Sequence, residues 1–148
     1  MDVIARIAED YKKAFKAKDS LQVDVLRMLR AQIKNREIEK RGELDDQELI
    51  AVVRMSIKQR NEAAEAYQKA GDQQRANREL AEIDVLKTYL PPELDEAELD
   101  RLIHEAINET DAQGMGDLGK VMKSVMPKLA GRADGKTVNE KVRRALSA

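Results

Sequence analysis

Between Leu118 and Ala148 eight cationic side chains, Lys120, Lys123, Lys128, Arg132, Lys136, Lys141, Arg143 and Arg144, stand against two carboxylates, Asp134 and Glu140. Ammonium and guanidinium groups at such density bind phosphate oxygens, so the chemistry open to this segment is to hold a polyanion. Lys120 and Lys123 lie three residues apart, opposite Val121 and Val125 at helical spacing, and Lys141 and Arg144 repeat the interval with Arg143 beside them. Arg132 and Lys136 flank the turn between. A helix-turn-helix hairpin can gather these groups into one continuous positive surface. The segment has no aromatic residue, so phosphate and shape contacts, not base stacking, would carry recognition. The preceding stretch, 93–117, inverts the balance with nine acids and one base, Arg101. Sorting charge into adjacent blocks points to a polyanionic partner, and the same charges also suit a solvated helical face with no partner.

Other constellations offer less. The single histidine, His104, has Ile107 and Asn108 at the positions where a helical metal site needs ligands, which fits a boundary histidine without chemistry. Asp95, Glu96, Glu98 and Asp100 cluster where a helix begins and favour its positive end; no EF-hand spacing accompanies them. Ser20, Ser56, Ser124 and Ser147 lie outside any nucleophile elbow. The glycines of GDLGK and GRADGK match neither a Walker loop nor a dinucleotide fingerprint and read as turns and caps. Met122 and Met126 have core spacing. No catalytic residue, metal or cofactor is therefore expected, and whether the chain has enzymatic activity stays open.

Composition narrows the class. The 148 residues are 42% hydrophobic and 37% charged with a net charge of −1, too apolar for full disorder. Aromatics make up 3% and tryptophan is absent, so the core must use Leu, Ile, Val, Met and Ala, which suits helices better than sheets. Without cysteine, disulfides, thiolate catalysis and Cys-zinc sites are excluded. The N-terminus lacks the apolar stretch of a signal peptide, and no window approaches a membrane span. The expectation is a soluble, cytoplasmic protein with no membrane partner.

Every segment repeats at the helical period. Ile4, Ile7, Ala8, Tyr11 and Phe15 make the first stripe. Asp19 offers a cap to a second helix, about 21–41, with Leu21, Val25, Met28, Leu29 and Ile33 inward and Gly42 as its terminating residue. Asp45 and Glu48 have capping-box spacing ahead of a long third helix to Gly71, whose tail from Gln59 to Lys69 reads as partly free of the core. A fourth, about 72–90, buries Ala76, Leu80, Ile83 and Leu86 and puts Arg75/Glu79 and Arg78/Glu82 on its wet side. Pro91-Pro92 stops it and marks a boundary between 1–90 and 91–148. Asp95 then caps a fifth helix with Leu99, Leu102, Ile103, Ala106 and Ile107. A sixth carries Leu118, Val121, Met122, Val125 and Leu129, with Pro127 bending or ending it. Asp134 caps the last, where Val138, Val142, Ala145 and Leu146 face inward.

The run DLGKVMKSVMPKLAGRADGKTVNEKV resembles the signature of the YqeY-like family, and is similar to the tail domain of the B subunit of glutamine-dependent aspartyl/glutamyl-tRNA amidotransferase. VLRMLRAQIKNREIE (25–39) and LKTYLPPELDEAEL (86–99) match the same pattern. The resemblance implies an all-α chain of two different three-helix units joined by a partly helical linker, to which the fourth helix would mainly belong. It makes 1–90 an N-terminal helical domain with linker and 91–148 a tail-like three-helix domain. In the amidotransferase the tail helps to hold the tRNA body while other domains do the chemistry. Carried over, Lys120, Lys123, Lys128, Arg132 and Lys136 become candidates to face RNA; Lys141, Arg143 and Arg144 rest on charge alone. The expected function is non-catalytic binding of tRNA or another structured RNA. The alternatives are an accessory of tRNA-dependent amidation, partnering amidotransferase or tRNA synthetase machinery, and a protein-interaction module using the long third helix.

Overall fold

The computed structural model describes residues 2–148, and among them the secondary structure is helical throughout, with no strand. The helices are α1 (Val3–Lys16), α2 (Ser20–Lys40), α3 (Asp46–Lys69), α4 (Gln73–Lys87), α5 (Glu96–Thr110), α6 (Leu118–Leu129) and α7 (Gly135–Ser147). A short 3-10 turn, Met115–Asp117, leads into α6. The chain is all-α.

Aspartates start these helices. A carboxylate accepts a backbone N–H of the first turn at Asp2 (2.8 Å), Asp19 (3.2 Å), Asp45 (2.8 Å), Asp72 (3.1 Å) and Asp95 (2.7 Å). Each satisfies a donor that the helix cannot, and places negative charge at the positive end of the dipole. At α3 the exchange is reciprocal, Glu48 Oε1 accepting the Asp45 N–H at 3.1 Å. Asp134 precedes α7 but departs from the expectation. Its carboxylate receives no backbone N–H; the Thr137 hydroxyl donates to it at 3.4 Å.

The end of α2 also differs from its sequence pattern. Arg41, not Gly42, takes the left-handed conformation, at φ 61°. The Gly42 N–H donates to Glu37 O at 3.1 Å and the Arg41 N–H to Ile38 O at 3.3 Å, the two bonds of a Schellman turn. The turn needs positive φ one residue before the glycine.

One compact unit runs to Leu90 and a second covers Pro91–Ala148. The first has its core on Ile7, Val25, Leu26, Leu29, Ile33, Leu49, Val52, Val53, Leu86 and Tyr89. Burying each large aliphatic side chain among these contributes about 1.5–3 kcal/mol. The most extensive helix pairing in the chain is α3 against α4. It buries Ala64, Ala76 and Ile83, so α4 covers one side of the later half of α3, while the rest of that half is mostly exposed and lies outside the core cluster. Leu80, Met28 and Phe15, which share the apolar patterns of their helices, are exposed instead. Arg75 pairs with Asp72 at 3.5 Å, not with Glu79, and Glu82 is buried, not on the wet side.

The second unit packs Leu99, Ile103 and Ala106 of α5 against Val121, Val125 and Leu129 of α6 and Val138 and Val142 of α7, with Ala133 beneath the α6–α7 turn. Ala145, expected inside, is exposed. Pro127 lies in the last turn of α6; the helix runs two residues past it and ends as Ala130 and Gly131 turn left-handed, at φ 49° and 75°.

Candidate nucleic-acid interface

The stripe Val121, Val125, Leu129 fixes which way every other side chain of α6 points. At 100° per residue Lys120 and Lys123 fall directly opposite that stripe, and both are exposed. Lys128 falls on its flank, toward α5. There its ammonium lies 2.6 Å from Glu109 and 3.5 Å from Glu105, carboxylates one turn apart on the same helix. The contact with Glu109 is the main cause that holds this lysine above its ordinary pKa.

On α7 the same geometry separates Lys141 from its neighbours. Its ammonium sits 3.1 Å from Glu96 and 2.8 Å from Asp100 in the first turns of α5. Its pKa is also raised, chiefly by the hydrogen bond to Asp100 and then that to Glu96. Lys136, Arg143 and Arg144 are exposed. Arg143 Nε donates to Asn139 within its own helix at 2.7 Å.

Arg132 performs a third task. Its Nε donates to the Pro92 carbonyl at 2.9 Å, and the Leu94 N–H donates back to the Arg132 carbonyl at the same distance. This reciprocal pair ties the PPEL segment to the GRADG turn, two stretches that also carry the family resemblance. The guanidinium is thereby held against the backbone.

The eight candidates thus divide. Lys128, Lys141 and Arg132 are engaged inside the unit. Among the described residues, no carboxylate lies within ion-pair distance of Lys120, Lys123, Lys136, Arg143 or Arg144. The sequence holds part of the spacing behind this division, but not the packing that decides it. Glu105 and Glu109, like Glu96 and Asp100, stand at i, i+4, and Lys128 and Lys141 each border a buried valine or leucine.

The histidine offers nothing more: His104 is exposed. Among the described residues, no group of three or more His, Asp or Glu is placed to hold a metal ion. No helix there is long and apolar enough to cross a membrane.

A second cationic cluster, on α1 and α2, is not evident from the sequence pattern. Arg27 and Arg30 gather on Tyr11, with Phe15 beside it. The available signal was the spacing of Tyr11 and Phe15 at i, i+4, and of Arg27, Arg30 and Lys34 at i, i+3, i+7.

Comparison with known proteins gives these features relatives. A mitochondrial protein of Pyrenophora tritici-repentis, "Altered inheritance of mitochondria protein 41", is 28% identical over 99% of this chain and 82% of its own length. Its namesake in Lachancea thermotolerans is 35% identical over 74% of this chain and 60% of its own. A stretch of 57 residues, 36% of the chain, is 44% identical to part of a glutamyl-tRNA(Gln) amidotransferase polypeptide from Thermococcus gammatolerans, but covers only 9% of that polypeptide. The family model described as Yqey-like protein matches residues 4–146. With that match running from the first turn of α1 to the last of α7, the chain belongs to the YqeY-like family.

Proposed function

We propose that this chain is a non-catalytic RNA-binding protein whose C-terminal unit holds the phosphate backbone of a folded RNA, tRNA foremost. One observation carries the reading. Among the described residues, Lys120, Lys123, Lys136, Arg143 and Arg144 are exposed without carboxylate partners, while the nearby acids Glu96, Asp100, Glu105 and Glu109 are engaged by Lys141 and Lys128. Internal pairing engages four carboxylates of α5, and the exposed cations of α6 and α7 outnumber the one exposed carboxylate on those helices, Glu140. The likeness to an amidotransferase polypeptide whose name specifies glutamyl-tRNA(Gln) favours tRNA among structured RNAs. Cytosol and mitochondrial matrix both contain tRNA, so the reading holds in either compartment.

Titration of labelled tRNA at two ionic strengths tests it. Engagement of about four phosphates gives a log–log salt slope of roughly three to four. Lys120→Glu with Lys123→Glu should weaken binding across RNA sequences and flatten that slope by about two units. Equal, negligible binding at both ionic strengths removes the reading.

The same likeness favours a second role, as an accessory of tRNA-dependent amidation acting beside amidotransferase or synthetase machinery. Co-purification with a glutaminase, or a rise in amidated tRNA when the chain is added to that enzyme, distinguishes it from simple RNA binding.

A further inference from the structure

The N-terminal unit presents a surface of a different kind. Tyr11 and Phe15 lie one turn apart on α1, ring centroids 6.3 Å apart and planes tilted by 35°. Phe15 is 62% exposed, although its place in the apolar pattern of α1 would bury it. The Arg30 guanidinium lies over the Tyr11 ring, 5.0 Å from its centroid. Arg27 Nη2 donates to the Tyr11 hydroxyl at 3.4 Å.

Arg27, Arg30 and Lys34 form one stripe of α2, all exposed. Among the described residues, none has a carboxylate within ion-pair distance. The acid closest to them in sequence, Asp24, is held at 3.1 Å by Arg78 of α4. Lys12 and Lys16, also exposed on α1, add two more cations to that helix. Aromatic faces interleaved with unpaired cations are what an unpaired nucleotide strand needs: a flat surface for each base and a positive charge for each phosphate. The guanidinium over Tyr11 already shows the stacking that a base would extend. A membrane surface fits less well, because only one of the two rings, Phe15, is exposed, which is too little for an inserting face.

We infer that the α1–α2 face binds single-stranded segments of RNA, with exposed Phe15 stacking on a base, half-buried Tyr11 holding Arg27 and Arg30 in place, and Arg27, Arg30 and Lys34 holding the phosphates. This contact differs from that of the C-terminal unit, whose basic segment has no aromatic residue, and stands independently of it.

The test uses the full chain and a labelled oligouridylate of about ten nucleotides. Binding should weaken with salt at a log–log slope of about two, for three cations on a single strand. Phe15→Ala should lower affinity roughly ten-fold, since one base stack is worth that much, while Phe15→Trp preserves it. Arg27→Gln with Arg30→Gln should flatten the slope by about one unit or more. Lys120→Glu with Lys123→Glu should leave oligouridylate binding intact, which separates this site from the C-terminal one. The exposure of Phe15 keeps its variants folded, and circular dichroism verifies that. Unchanged affinity in Phe15→Ala, or binding to phosphatidylserine vesicles with none to oligouridylate, overturns the inference.

Discussion

The carboxylate of Glu82 on α4 lies 3.5 Å from the guanidinium of Arg60 on α3, and both residues are 9% exposed. Arg78 approaches the other Glu82 oxygen at 3.4 Å and also reaches Asp24 on α2. A charge network therefore clips three helices of the N-terminal unit together. Removing one partner strands the other in a poorly solvated place. Glu82→Ala should destabilise the chain by about 2 kcal/mol, less than for a fully buried pair because Arg78 is half exposed. Arg60→Met with Glu82→Leu should be close to neutral. Denaturant midpoints measure both, and a harmless Glu82→Ala would show the pair to be dispensable. Burial also pushes the Glu82 carboxyl above its ordinary value of 4.5, against the pull of Arg60. A raised carboxyl binds its proton more tightly in the folded state. This contribution to stability is complete below 4.5 and lost as pH rises through the folded value. The stability difference between wild type and Glu82→Gln should therefore shift against wild type as pH rises across that window. Denaturant curves at several pH values give the sign.

Lys128 and Lys141 predict a different signature. Each is raised above 10.5 by carboxylates of α5. The stabilisation is present below 10.5 and lost as pH climbs through the folded values. Lys128→Gln and Lys141→Gln should lower the melting temperature in dilute buffer. That deficit should shrink in about 1 M salt, where the Debye length is about 3 Å. Each should lower tRNA affinity only slightly, through the carboxylates it releases; a loss comparable with that of Lys120→Glu with Lys123→Glu would place them on the RNA-facing surface.

Arg132→Lys should loosen the C-terminal unit by about 1 kcal/mol, because an ammonium cannot reproduce the directed Nε–H bond to Pro92. Amide exchange of Leu94, whose N–H completes the reciprocal pair, should quicken in this variant. Unaltered exchange would mean that the backbone bond survives alone.

Arg41→Gly should stabilise by about 0.5–1 kcal/mol. It relieves the left-handed strain of a residue with a Cβ, partly offset by the added freedom of glycine when unfolded. The denaturant midpoint should rise with an unchanged slope. A fall would indicate that the arginine side chain contributes more than its backbone costs.

Tyr89 closes the first unit: its hydroxyl donates to Asp10 at 2.6 Å, and Arg6 covers its ring at 4.5 Å. Burial first, and the Asp10 bond second, push its pKa well above 10.0. Tyr89→Phe should cost about 1 kcal/mol. In wild type, stability from this group is complete below 10.0 and declines at higher pH. Spectrophotometric titration should show one tyrosine ionising only as the chain unfolds.

Local rules were legible where they act within one turn. Asp19, Asp45 and Asp95 announced helix starts, because an N-cap needs only its own carboxylate and an N–H three residues on. The stripes of α5 and α6 identified their cores for the same reason. Local rules misplaced Leu80, Phe15 and Glu82. A stripe records which side of a helix is apolar, not how much of it a neighbour covers, and a carboxylate counts as solvent-facing until a second helix brings it a guanidinium.

The candidate interface divides along the same line. The sequence by itself determined that α6 and α7 are basic, that α5 is acidic, and that Lys120 and Lys123 oppose the buried valines, because 3.6-residue periodicity is a property of a single helix. Only the tertiary structure decided that Lys128 and Lys141 turn to the carboxylates of α5, that Arg132 holds a backbone carbonyl, and that, among the described residues, the five other cations meet no carboxylate. Ion pairing depends on which flanks of two helices face each other across a few ångströms, and packing sets that distance.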